Sequence, residues 1–155
     1  CEMLRRDGVF YPIDFANPCP DSQVNSIHYH WPWYVISNLK WALFNAATKR
    51  PMRKTLDFEP YYKIARQDLP YRERLAGYAQ LARKRLATDK FEAFCDRHLG
   101  PLEEAAFRWF RSDRCEEAVR LKVANLFPEH EVDEFTAKFV GLVRQSVDDM
   151  CASNA

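Results

Sequence analysis

The chain has 155 residues, with 23 Lys and Arg against 22 Asp and Glu, for a formal charge of +1. That balance provides no global field to draw the protein onto nucleic acid or an anionic membrane, so any partner must be recognised locally. A hydrophobic content of 47%, an aromatic content of 14% and only four glycines exclude a disordered or loop-rich chain and predict one core of ordinary domain size.

The five cysteines are odd in number and widely spread, and none forms a C-x-x-C pair. This argues against a zinc site and for a reduced compartment. No apolar run approaches the roughly 18 residues of a membrane span, and nothing at the start has the form of a signal peptide. The expectation is a soluble, cytoplasmic protein with neither a membrane nor a nucleic acid as partner.

Taken in chain order, residues 1–15 read as a hairpin. Cys1 to Arg5 is one strand, Asp7-Gly8 the turn, and Val9 to Phe15 a second strand rich in β-branched and aromatic side chains. Pro12 has no amide proton for the ladder, so its place must be an edge, a bulge or a solvent-facing position. The string Asn17-Pro18-Cys19-Pro20-Asp21-Ser22 breaks regular structure. Because Cys1 already lies within the strand pattern, more chain is expected upstream of it. A lipid-bearing terminal cysteine would be followed by a polar tether, and an autoprocessed nucleophile would need stacked sheets; neither pattern is present.

From Trp31 the period becomes helical. The first helix is expected to run from Pro32 to about Lys49, with Trp33, Ile36, Leu39, Lys40, Leu43 and Ala47 on one side and Pro51 as its stop. Asp57 can cap a short helix carrying Tyr61, Tyr62, Ile64 and Ala65, and Pro70 opens a longer one to Leu86. Asp89 can cap the next, ending at Gly100-Pro101. Segments Leu102 to Phe110 and Asp113 to Phe127 follow. Pro128 then introduces a last helix with Val132, Phe135, Phe139, Leu142, Val143 and Val147 on one face. The predicted fold is mainly α, an N-terminal β-hairpin followed by a multi-helix tail. The expected division is a terminal hairpin and loop over residues 1–27 and a helical region over 28–155.

The chemistry-bearing residues concentrate in the hairpin. Glu2 on the first strand and Asp14 and Asn17 at the end of the second are hard oxygen donors of the kind Mg²⁺ takes beside phosphate oxygens. A turn at Asp7-Gly8 brings Glu2 and Asp14 together although they are distant in sequence. The alternative is structural: Asp14, Asn17 and Asp21 beside prolines can bond their own backbone as turn-formers.

The string Arg6-Asp7-Gly8-Val9-Phe10-Tyr11-Pro12-Ile13-Asp14-Phe15-Ala16-Asn17-Pro18 closely resembles the final hairpin of ATP-grasp ligases. Its I-D-F-x-N-P form with Pro20-Asp21 is similar to that of a carboxylate-amine ligase-like subgroup. The resemblance implies an enzyme that uses ATP and Mg²⁺ to join a carboxylate to an amine or thiol through an acyl phosphate, with Glu2, Asp14 and Asn17 as metal ligands. The usual spacing in that family is acidic-x-Asn, whereas Phe15 and Ala16 both intervene here, so Asn17 reaches the metal only across a bulge or an early exit from the strand. With four glycines in all, the chain has no phosphate-cradling loop. The resemblance therefore implies a C-terminal fragment, inactive alone, whose partners are the upstream part of the same polypeptide, small-molecule carboxylate and amine substrates, and a second copy if it oligomerises.

The other reading is a helical interaction or oligomerisation module without catalysis, supported by the aromatics from Tyr29 to Trp41 and at Tyr61-Tyr62. Among lesser candidates, His28-Tyr29-His30 reads as a packing seam between hairpin and first helix rather than half a metal site. His130-Glu131-Val132-Asp133-Glu134 carries Glu134 where a zinc helix needs its second histidine. The basic clusters Lys49, Arg50, Arg53, Lys54 and Arg83-Lys84-Arg85 read as solvated helix ends. Cys19 has no neighbouring base.

Overall fold

Asp7 and Gly8 both adopt positive φ, 51° and 80°, as the primed turn of a two-residue hairpin requires. The computed structural model describes residues 2–14, 21–51 and 57–153. Around that turn, β1 (Glu2–Arg6) pairs antiparallel with β2 (Val9–Asp14). Arg6 faces Val9, Leu4 faces Tyr11, Met3 faces Pro12, and Glu2 faces Asp14. The last step leaves Ile13 without an opposite number, which is a β-bulge immediately after Pro12. A proline beside a bulge satisfies the restriction that its missing amide proton imposes.

The rest of the described chain is helical: α1 (Val24–Ile27), a 3₁₀ turn at His28–His30, α2 (Trp31–Ala47), α3 (Glu59–Ala65), α4 (Tyr71–Leu86), α5 (Thr88–His98), α6 (Gly100–Phe110), α7 (Asp113–Ala124), a 3₁₀ turn at Glu129–Glu131, and α8 (Val132–Ser153). The expected architecture, a hairpin followed by a helical tail, is the one observed. Two compact units divide the chain, one made of Cys1–Val35 and Ala106–Ala155, the other of Ile36–Ala105.

In the first unit α7 packs on α8. Cys115, Val119 and Val123 of α7 recur every fourth residue, and Phe139, Val140, Val143 and Val147 of α8 follow a three-four spacing; all are buried. The expected α8 face is therefore present, with Val140 and Thr136 added to it. Phe127 stacks on Phe135 with centroids 4.3 Å apart, and Phe139 lies tilted against Phe135 at 5.8 Å. Ion pairs Arg144–Glu116 (3.0 Å) and Arg120–Asp133 (2.7 Å) run from one helix to the other. Trp31 lies edge-on to Phe110, which is 1% exposed.

The second unit is organised by aromatic rings and by helix ends. Phe44 of α2 meets Phe91 and Phe94 of α5 edge-to-face at 5.5 Å, and Trp41 meets Phe91 at the same distance. On α4, Gly77 lies beneath Ile64 of α3, where an added Cβ would come within 3.1 Å of Ile64 Cδ1. Tyr61 stacks with Tyr78 across the same pair of helices. The buried stripe of α2 differs in phase from the expected one. Pro32, Ile36 and Phe44 are buried, whereas Trp33, Leu39 and Leu43 are exposed. Five apolar residues on one arc do not by themselves decide which way the helix turns; Phe44 prevails because α5 supplies the rings it packs against.

Helix ends depart from expectation in four places. Asp57 Oδ1 accepts the Glu59 amide at 3.1 Å beside the start of α3, but the N-cap position is Phe58, one residue later than expected, and no side chain caps it. Asp89 lies inside α5 and pairs with Arg83 at 2.6 Å instead of capping. Gly100 begins α6 rather than ending the preceding helix, and α7 stops at Ala124, short of Phe127. Between α4 and α5 the chain turns at Ala87 in the left-handed region, φ 54° and ψ 47°, a conformation that costs a residue with a Cβ about 1 kcal/mol. Replacing Ala87→Gly relieves that cost, and a chemical denaturation curve should show a stability gain of about 0.5–1 kcal/mol at unchanged slope.

Candidate functional site

The hairpin carries the first candidate. Antiparallel pairing with the bulge at Ile13 sets Glu2 and Asp14 opposite each other in register. Without the extra residue, Glu2 would face Ile13 instead, because a one-residue slip exchanges the two faces of a strand. Two of the three residues expected to ligate a metal are thus brought together by the backbone. The third, Asn17, lies outside the described residues, as do Phe15, Ala16, Pro18, Cys19 and Pro20. A bulge stands immediately before Asp14; the bulge or early exit expected between Asp14 and Asn17 falls outside the described residues. Hard oxygen donors at Glu2 and Asp14 suit Mg²⁺ in residue type, and no group of three His, Cys, Asp or Glu able to hold a metal occurs among the described residues.

The hairpin's described apolar side chains are open. Leu4, Val9, Phe10, Tyr11 and Ile13 are each at least half exposed, Phe10 at 63%. They fall on both faces of the ribbon, because Val9, Tyr11 and Phe10 alternate along β2.

Asp21 is structural. Its Oδ1 accepts the Gln23 amide at 3.1 Å and its other oxygen accepts the Ser26 hydroxyl, so it organises the start of α1. Those donors hold its carboxyl below the usual range, the Ser26 hydroxyl contributing most. His28-Tyr29-His30 is not extended; it forms the 3₁₀ turn, and its contacts are with α8. His28 stacks on Phe139 with centroids 5.1 Å apart, and the Tyr29 hydroxyl donates to Asp149 at 2.7 Å, which raises the phenol above its ordinary value. The segment is a packing seam, but against the last helix. His130 lies beside Glu131 at 3.8 Å on the exposed 3₁₀ turn, with no metal group around it.

The basic clusters resolve into local roles. Arg50 donates to the carbonyls of Leu86, at 2.8 Å, and of Arg85, while its guanidinium lies 5.2 Å from the centre of the Trp41 ring. It closes the end of α4, where carbonyls have no helical partner. Arg83 is held by Asp89 and, at 3.8 Å, by Glu92. Arg53 and Lys54 lie outside the described residues. A different basic group, Lys90, Arg97 and His98, lines a groove together with Phe44 and Phe94. Its signal in the sequence is the seven- and eight-residue spacing that puts all three on one side of α5.

No protein-family model, curated protein or solved structure matches the chain. Among the described residues, no helix is long and apolar enough to cross a membrane.

Of the cysteines, Cys95 and Cys115 have thiols pushed up by burial, Cys115 to about 11. Burial penalises the thiolate, so both are poor nucleophiles at neutral pH. An unfolded thiol ionises near 9.0. The stability that neutral Cys115 contributes is therefore complete below that pH and declines as pH rises toward about 11. Iodoacetamide at pH 8 should leave Cys115 unmodified in the native chain and alkylate it after denaturation. A stability profile over alkaline pH should flatten in Cys115→Ala.

Proposed function

We propose that this chain is the C-terminal portion of a cytoplasmic ATP-grasp-type ligase, dependent on Mg²⁺, that joins a small carboxylate to an amine or thiol. In this reading Glu2, Asp14 and Asn17 hold the metal at the nucleotide phosphates. The observation that carries it is the bulged register, which sets two acidic residues opposite each other at the open end of a hairpin turned at Asp7-Gly8. Bound there, Mg²⁺ would neutralise charge on the phosphates. The protein's own part is to keep the ligand-bearing strands in register, which the primed turn and the bulge do.

The exposed apolar side chains support the same reading. A two-stranded ribbon with Leu4, Phe10, Tyr11 and Ile13 open to solvent is marginal on its own. Seated at the edge of a larger sheet, those side chains would be covered. The lysines over the phosphates, the Gly-rich loop and the adenine pocket would come from chain outside these residues.

The second reading, a helical interaction or oligomerisation module, is favoured by a different observation. Phe58 just before α3, Tyr62 within it, and Tyr71 and Leu75 at the start of α4 are exposed, Tyr71 at 73%, and large exposed apolar groups on neighbouring helices are a feature of docking surfaces.

The two readings part on nucleotide binding. In the gene product extended upstream of Cys1, calorimetry should detect Mg²⁺-dependent ATP binding. Changing Asp14→Ala together with Asn17→Ala should weaken it by about a hundredfold with the helical circular dichroism unchanged. Binding that survives the double change would sink the ligase reading and favour the module. Residues 1–155 alone should show no ATP turnover.

A further inference from the structure

A groove of about 540 Å³ opens within the Ile36–Ala105 unit, between the end of α2 and one side of α5. That volume lies in the range of small-molecule sites, about 300–1,000 Å³. Its apolar part is formed by Phe44, Phe94, Pro51 and Ala93. The two phenylalanines meet edge-to-face at 5.5 Å, so their positions are fixed by each other as well as by their helices.

The charged part is of one sign. Lys90, Arg97 and Arg50 line the groove, and among the described residues no acidic side chain does. Lys90 and Arg97 are seven residues apart on α5, about 10 Å along its axis, on one side of the helix within reach of long side chains, and both line the groove. The acidic neighbours of Lys90 are engaged elsewhere, Asp89 at 2.6 Å and Glu92 at 3.8 Å from Arg83. The nearby end of α4 would ordinarily bring unpaired carbonyls to this region. Arg50, itself a lining residue, covers those of Arg85 and Leu86 and adds its own positive charge.

We propose that this groove binds a small organic anion: a flat apolar body of one or two rings held by Phe44 and Phe94, carrying a carboxylate or a phosphate that is met by Lys90 and Arg97. Apolar floor and cationic rim together select such a molecule over a neutral ring, which gains nothing from the rim, and over inorganic phosphate, which gains nothing from the floor. The site stands on Phe44, Arg50, Lys90, Phe94 and Arg97 and is independent of the hairpin and of the ligase reading.

The test uses the full chain, labelled with ¹⁵N and titrated with phenyl phosphate, with 3-phenylpropanoate and with benzyl alcohol as the neutral control. Both anions, or one of them, should shift the amides of residues 87–98 saturably, and benzyl alcohol should bind at least about tenfold more weakly, the equivalent of one charge-assisted contact. Tighter binding of phenyl phosphate assigns the headgroup as phosphate; the reverse assigns carboxylate. Lys90→Gln with Arg97→Gln, both exposed positions, should weaken the preferred anion about tenfold or more, while Lys90→Arg with Arg97→Lys retains it and Arg72→Gln has no effect. The proposal is overturned if neither anion shifts these amides, if benzyl alcohol binds as tightly, or if the glutamine pair binds like the unaltered chain.

Discussion

The valine seam between α7 and α8 is the constraint on which the Cys1–Val35 and Ala106–Ala155 unit depends. Val119, Val123, Val143 and Val147 are each 1% exposed or less, and a fully buried valine contributes on the order of 1.5–3 kcal/mol. β-Branched side chains have few rotamers to lose in a helix, so a seam built from them orders at small entropic cost and admits little slippage. What surrounds it follows from its register. Arg144 reaches Glu116 and Arg120 reaches Asp133 because the seam aligns those turns, and Phe139 at its edge gives His28 a ring to stack on. The exposed ion pairs add little by themselves; they follow the packing rather than cause it.

The Ile36–Ala105 unit is held differently. Its core is a set of rings, Trp41, Phe44, Phe91 and Phe94, and its geometry is decided at helix ends. Ala87 takes a left-handed turn without the freedom of glycine, and Arg50 occupies the carbonyls that the end of α4 leaves open. A guanidinium that satisfies two carbonyls and lies over Trp41 links the end of α2 to the junction of α4 and α5. The same arrangement leaves the side of α5 bearing Lys90 and Arg97 facing a groove floored by Phe44 and Phe94. A basic run that reads as a solvated helix end in sequence is thus partly structural, and its Arg50 faces the groove together with Lys90 and Arg97.

The hairpin is the element least supported by its surroundings. Its backbone register is well specified by Asp7-Gly8 and by Pro12, yet its described apolar side chains are open on both faces. This combination, local geometry without burial, is what a ribbon completed by further strands would show, and it is why the hairpin is the centre of the proposed ligase site.

Local chemistry determined most of what was legible in the sequence. The primed turn at Asp7-Gly8, the disturbance at Pro12 and the apolar face of α8 all depend on a residue and its near neighbours, and each is where the pattern places it. The facing of Glu2 and Asp14 also follows from turn and bulge, whereas the place of Asn17 depends on chain beyond the described strand. Tertiary structure alone decided the phase of α2, the engagement of Asp89 with Arg83 and the use of His28 against α8. In each case several local choices are nearly equal in energy, and the partner that breaks the tie is tens of residues away or on another helix. The anion-sized groove belongs to the same class: Lys90 and Arg97 are spaced for one face by the helix period, but only the packing of α2 on α5 puts Phe44 beneath them.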